Sequence, residues 1–445
     1  MLNRIIDKLP LSRRRKAVAG NLAWAVVGKV VTLLGSLLVG IIVARYLGPE
    51  RYGLMNYVIS YVFLFQTVAI FGLDSIEVRE ESKRPDEYLE IVGTAFVARC
   101  VLALITLLGI GVTTWLSEAD GYTRLLIGLY SLSLLLNPFN VIRNLFLARV
   151  ENEYVVKSEI SRTLIGMAIK FGLLLLGVGL TWFVVACTFD WLLLASGYIY
   201  SYRRKIGRLS AWRWKGEEAR FLLREAFPLL LTSAAVIVYQ RIDQVMIGRL
   251  VDKTAVGYFS TASRFVEVLI CVPMMLAQTI SPVLTSIRAE SEEAYRQKAQ
   301  LFMNLSVWVS GLLALLTSLL SYWIIYILLG SQYLPAVIVL QIMSFKAMSV
   351  ALSNTAGSLL VIEGLQRWAI LRDAFGCLVC VVLNLLLLPR YGIVASAAVA
   401  ILSNVAAGYV ADAFIPAYRH LFRQQTRALF LGWRDLLHFR QLMKG

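Results

Sequence analysis

The sequence predicts an all-α protein that crosses a membrane many times, and three observations carry that prediction. Of 445 residues, 58% are hydrophobic and only 16% are charged, with a mean hydropathy of +0.70. That is too little charge to cover soluble domains of this total length. The apolar residues fall into long runs, each near the roughly 20 residues that a helix needs to cross hydrocarbon with its backbone satisfied internally. The basic residues sit in short clusters between those runs, dense at one set of connections and sparse at the other.

Twelve segments meet the length requirement: 20–43, 54–76, 91–115, 124–142, 159–179, 181–200, 226–248, 258–282, 301–325, 336–361, 368–388 and 393–415. The fifth and sixth are joined by almost nothing, around Gly177 to Thr181. Arg4, Lys8, Arg13 to Lys16, Arg79, Lys83, Arg84, Arg143, Arg149, Lys157, the stretch from Arg203 to Arg224 and the tail from Arg419 mark one side. The other holds only Arg45, Arg51, Arg124, Arg249, Lys253 and Arg390. Basic residues stay on the cytoplasmic side, so both termini are expected there. The first apolar run is too long for a signal peptide and carries Lys29, so it is read as a span. A net charge of +16 distributed in this way orients a membrane protein, and nucleic-acid binding, which needs a basic face or stripe, is not expected.

The chain also repeats itself. IIVARYLGPERYGLMNY links the first two spans and VMIGRLVDKTAVGYFST the seventh and eighth; Arg45 precedes Gly53 by eight residues, and Arg249 precedes Gly257 by the same eight. Each glycine is expected to serve a tight re-entry of the chain into the membrane. Six spans separate the copies, so both halves run the same way across the bilayer. The basic connection between them, AWRWKGEEARFLLRE, reads as an amphipathic helix on the inner membrane surface, and so does the Arg-rich tail. Cys377 and Cys380 form a CxxC inside an apolar run, where small buried hydrophobes are the expected role of all five cysteines. Pro138, Pro228, Pro273 and Pro282 are expected to kink their spans.

ARYLGPERYG, RIDQVMIGRL, VGYFSTASRFVE and NLLLLPRYGIVASAAVA together resemble the bacterial polysaccharide flippases of the multidrug/oligosaccharidyl-lipid/polysaccharide exporter superfamily. The resemblance extends over essentially the whole chain. It implies twelve transmembrane helices in two six-helix lobes around a central cavity: an N-terminal lobe over 1–200, a cytoplasmic linker over 201–225, a C-terminal lobe over 226–416 and an interfacial tail over 417–445. It also implies export of an undecaprenyl-diphosphate-linked oligosaccharide from the cytoplasmic to the periplasmic leaflet of the bacterial inner membrane, by a monomer that uses no cofactor.

The charged residues within the spans fit that cargo. A cation at membrane depth costs about 2.5–3.5 kcal/mol on insertion scales, so each needs a reason. Lys29, Arg99, Lys170, Arg241, Arg264 and Lys346 lie in spans, against a few acids, chiefly Asp190, Asp243 and Glu267. A net-positive cavity would offset desolvation of a diphosphate. Lys29, Lys170 and Lys346 are deep enough to favour the cavity. Arg99 and Arg264 lie close enough to helix ends to snorkel instead, and Arg264 is spaced to pair with Glu267. Asp190 and Asp373 read as interfacial. Arg241 and Asp243 are two apart and cannot share a helix face, so one is available to cargo while the other meets a neighbouring helix. Asp243, with Glu267 second, is the candidate to carry a coupling proton or sodium ion, and a static ion pair is its alternative. No GxxxxGK[ST] is present, so ATP is not the direct driver.

Two other classes were open. A polymerase or ligase of lipid-linked sugars needs a sizeable outward segment, and the outward connections are short; the only two histidines, His420 and His438, lie in the tail with no acid/base cluster expected around them. A drug or cation antiporter of the same superfamily needs an acidic, aromatic cavity, and the cationic excess argues the other way.

Overall fold

The computed structural model describes residues 13–365 and 368–437, and among them every regular element is helical. In chain order these are α1 (Arg13–Ile70), α2 (Leu73–Lys83), α3 (Tyr88–Ser117), α4 (Gly121–Ser131), α5 (Asn140–Ala148), α6 (Asn152–Leu175), α7 (Leu180–Lys205), α8 (Gly216–Leu250), α9 (Lys253–Glu290), α10 (Glu292–Leu329), α11 (Ala336–Ser344), α12 (Lys346–Glu363), α13 (Ala369–Val405), α14 (Ala411–Phe414) and α15 (Arg419–Leu437). A 3-10 stretch, Leu132–Phe139, joins α4 to α5, and a π-helical turn, Ala406–Val410, joins α13 to α14. Arg4, Lys8 and His438 lie outside the described residues.

Nine stretches of the described residues are long and apolar enough to cross a membrane. Two of them, Gly28–Lys83 and Ala369–Phe414, each hold two of the predicted spans. The remaining predicted span falls on α6, which is helical but more polar. All twelve predicted segments therefore lie on helix, and the chain is a multi-pass α-helical membrane protein. What divides the two double-length stretches is one glycine each. Gly48 stands at φ 74°, ψ 169° and Gly392 at φ 59°, ψ −150°, backbone conformations that side chains rarely enter; Pro49 and Pro389 lie beside them. The prolines expected to kink their spans end no helix: the helix continues through Pro228, Pro273 and Pro282, and Pro138 sits in a changed helix type.

The residues form two compact units, Met1–Leu47 with Val58–Ile237, and Gly48–Tyr57 with Val238–Gly445. In the first, Val92, Ala95, Val141, Ile142, Phe146, Tyr198 and Tyr202 form a buried core. Helix pairs in lipid gain from close backbone approach, and α1 meets α6 through glycines: a Cβ at Gly28 would lie 2.6 Å from Val156 and one at Gly35 2.6 Å from Thr163. The helix expected over AWRWKGEEARFLLRE forms over its last ten residues, from Gly216, and not over its first five. The preceding residues are held in place instead: Arg213 N–H donates to Leu89 O (3.1 Å), Lys215 N–H to Thr94 Oγ1 (3.1 Å), and Trp212 Nε1 to Tyr202 O–H (2.8 Å). Three such tertiary bonds outweigh a helical pattern interrupted by Gly216.

In the second unit, Ala299, Met303, Val307, Ala356, Leu359 and Leu421 lie in one buried core. Helix α15 forms as expected, but one face is built into the unit. Leu421, Gln425 and Ala428 are fully buried, Trp308 Nε1 donates to Ala428 O (2.8 Å), and Gln425 Nε2 donates to Gly408 O in the π-helical turn (2.6 Å). Its other side leaves Phe430, Leu431 and Trp433 exposed. His420 has one acidic neighbour: its Nε2 lies 2.7 Å from Glu363 Oε2, and the hydrogen bond to that carboxylate raises the imidazole pKa above its usual value.

Candidate functional site

Within the first unit the predicted cations have different surroundings. Lys29 on α1 is exposed, with no ion-pair partner among the described residues. Lys170 on α6 is 12% exposed and forms an ion pair with Asp190 of α7, so Asp190 is drawn to a buried cation rather than to the interface. Beyond the glycine contacts α1 and α6 open into an apolar groove of about 270 Å³, in which Lys170 is the one charged lining residue. Arg99 is 1% exposed and reaches no headgroup. Its Nε donates to Glu77 Oε1 (2.7 Å) and its Nη2 to Asp74 Oδ1 (2.5 Å), while Asn144 Nδ2 donates to both carboxylates. Its charge is matched inside the unit, and it drops out of the candidate path for cargo.

In the second unit Arg241 and Asp243 take separate environments, as their spacing requires. Asp243 is 2% exposed; its Oδ1 accepts from Asn384 Nδ2 (2.7 Å) and from Cys380 Sγ (3.3 Å), and Asn384 Oδ1 accepts in turn from Ser396 Oγ (2.6 Å). These partners come from both halves of α13, on either side of the Gly392 break. Lys346, the first residue of α12, acts electrostatically on Asp243 without an ion pair. Arg241 Nη2 lies 3.4 Å from Glu267 Oε1, so Glu267 pairs across to α8 rather than with Arg264 along its own helix. The Arg264 guanidinium stands 5.8 Å from the ring centroid of Tyr52.

The two copies of the sequence repeat meet within this unit. A Cβ at Gly53 would lie 1.7 Å from Lys253 O, and one at Gly257 would lie 2.0 Å from Pro49 O. Pro49 precedes Gly53 by the four residues that separate Lys253 from Gly257, so each glycine takes the same carbonyl of the other copy. Both glycines are helical. They serve a backbone contact between helices rather than the tight re-entry expected of them; that turn belongs to Gly48. Around the contact Lys253 Nζ lies 3.0 Å from the centroid of the Tyr57 ring, and Arg249 Nε donates to Tyr57 O–H at 3.3 Å.

With this geometry in place, the chain matches one family model. That model, described as "Polysaccharide biosynthesis protein", matches residues 18–288, more than half of the chain. The chain belongs to that family. A comparison with curated proteins gives no match. Among solved structures, this polysaccharide biosynthesis protein has the fold of the lipid II flippase MurJ in an inward closed conformation (TM-score 0.72, 12% identity, 92% of this chain and 92% of that one). It is similar to a multidrug resistance MATE family transporter of the MOP superfamily, inward-facing (TM-score 0.66, 14% identity, 90% and 96%). It is also similar to a MOP superfamily transporter from Pyrococcus furiosus (TM-score 0.60, 15% identity, 93% and 96%). The chain shares one fold with these three proteins.

Sequence reasoning placed Asp243 at the centre but missed the groups that hold it. Asn384 and Ser396 lie in NLLLLPRYGIVASAAVA, quoted for its likeness to a family and not for its polar side chains. An amide and a hydroxyl in a strongly apolar stretch are the signal that finds them, since uncharged polar groups at membrane depth also need partners. Cys380 was read as a small hydrophobe, and its sulfur in fact faces the carboxylate.

Proposed function

We propose that this protein is a flippase that carries an undecaprenyl-diphosphate-linked oligosaccharide from the cytoplasmic to the periplasmic leaflet of a bacterial inner membrane. The cargo serves a surface polysaccharide such as O-antigen or exopolysaccharide. The protein works by alternating access, as a monomer with both termini in the cytoplasm, and performs no covalent chemistry on its cargo.

One observation carries the choice of an anionic cargo. Among the described residues Lys29 and Lys346 lie in apolar spans with no carboxylate at ion-pair distance, whereas Lys170 and Arg99 have theirs. Cations at membrane depth without a contact ion pair carry an insertion cost of about 2.5–3.5 kcal/mol each. A diphosphate supplies the missing counter-charge during transit. Arg241 and Arg264 add cationic side chains from α8 and α9, and the apolar groove at Lys170 suits a lipid chain. Asp243 is the candidate carrier of a coupling proton or sodium ion.

Reconstitution in proteoliposomes tests this. Lipid-diphosphate oligosaccharide is expected to cross at a rate that falls about tenfold or more in Lys29→Ala or Lys346→Ala, a loss equal to about 1.4 kcal/mol of transition-state stabilisation per factor of ten. Efflux of cationic dyes with no transport of such lipids would replace this reading with that of a drug antiporter of the same superfamily.

A further inference from the structure

Of the four carboxylates on helix α2, three, Asp74, Glu77 and Glu81, are spaced to lie along one helix side. The first two are saturated by Arg99 and Asn144. Glu81, one turn further on, is 3% exposed, and both of its oxygens are buried without a hydrogen-bond partner. A second loose end points at the same cluster: Arg99 Nη1 is also buried with no acceptor. Neither atom can borrow a partner from the rest of the helix. Glu80 takes Arg79, Lys83 and Arg84, and Arg84 also binds Glu87 and Glu218.

The charged groups that face Glu81 are few. Glu77 of its own helix repels it, and Arg99 of α3 and Arg149 after α5 attract it from a distance. Arg149 is exposed and stacks over Tyr88 with 4.6 Å to the ring centroid. Arg143 of α5 acts on Asp74. An ionised Glu81 would thus be the third carboxylate around one buried guanidinium, desolvated and with no N–H or O–H on its charge. Burial of a charge in that condition is resolved by neutralisation. A metal ion is a poor alternative, because the guanidinium repels it and Asp74 and Glu77 already accept hydrogen bonds.

We propose that Glu81 is a proton-binding site of the first unit, occupied at neutral pH and independent of Asp243. The neutral acid needs no counter-charge. Loss of the proton places a bare charge between α2, α3 and α5, so alkaline pH loosens this unit through one side chain.

Infrared spectroscopy of the full chain in nanodiscs reads this directly. At neutral pH the protein labelled with ¹³C-glutamate is expected to show the C=O stretch of a protonated glutamic acid, shifted by deuteration. Glu81→Gln removes that band and Asp243→Asn leaves it. Raising the pH should abolish the band and lower the thermal unfolding temperature together, and Glu81→Gln should flatten that pH dependence. Absence of a protonated-glutamate band in the labelled wild-type protein overturns the proposal with no variant needed. So does persistence of the band in Glu81→Gln, or stabilisation by sodium over choline that the same variant abolishes.

Discussion

Lys170 and Lys346 are both cations in apolar spans, and the difference between them lies in what stands opposite. Lys170 has Asp190, and the pair is mostly buried, at 12% and 22% exposure. Removing one partner of such a pair leaves an uncompensated charge, which costs about 3–5 kcal/mol, whereas removing both with well-packed apolar groups is nearly neutral. Asp190→Ala is therefore expected to destabilise the protein by that amount, and Lys170→Met with Asp190→Ala to recover most of it. Thermal unfolding in detergent decides this; equal losses in the single and double variants would show that packing at Gly166, whose Cβ position lies 2.2 Å from Asp190 Oδ1, matters more than charge. Lys346 has no carboxylate in ion-pair contact, so its truncation should spare folding and fall on transport. The sequence showed that both lysines were deep, but not this distinction. Asp190 is twenty residues from Lys170, on another helix, and nothing local marks the pairing.

At the scale of elements, the repeat was legible and its geometry was not. Equal spacing of Arg45 and Gly53, and of Arg249 and Gly257, identified two copies, while the role of the glycines depends on where the copies meet. Glycine opens two options, a special backbone conformation or close approach of another chain segment, and only the fold selects between them. At Gly53 and Gly257 it is close approach to Lys253 O and Pro49 O. Carbonyls this near a glycine Cα form the weak contacts that recur at tight helix crossings. Gly53→Ala and Gly257→Ala must each push a backbone carbonyl aside. Each is expected to cost about 1–3 kcal/mol, as overpacking does, and the symmetric contact predicts similar losses. A pair that together lose far less than the sum would show that one displacement relieves both clashes; no loss in either would mean the crossing is not tight in the membrane. The connection before α8 was misjudged for a related reason. Its helical pattern is real, but the backbone bonds from Arg213 and Lys215 to the start of α3 are invisible in the sequence.

For the whole molecule, the multi-pass helical class was legible because the bilayer imposes a length and a composition that no tertiary contact overrides. How work is done on the cargo was less so, since coupling depends on a network assembled from distant stretches. Asp243 sits in a buried polar cluster of the second unit, bonded to Asn384 and Cys380, with Ser396 behind Asn384 across the Gly392 break. Asp243 is held from one side of the helix break by Asn384, which Ser396 braces from the other side, so a shift of the two halves would change the bonding of Asp243 and link gain or loss of a cation there to the shape of α13. Each pH unit of gradient is worth about 1.4 kcal/mol per proton carried, or tenfold in accumulation. If Asp243 transmits that energy, Asp243→Asn, which keeps the size and an acceptor oxygen, should abolish gradient-driven accumulation of cargo and preserve downhill exchange. Transport in proteoliposomes with an imposed proton or sodium gradient measures both. Should the variant accumulate cargo as well as the wild type, the cluster is a static brace for α13 and the coupling ion binds elsewhere. If it loses downhill exchange as well, Asp243 serves the conformational change itself and not only its energy supply.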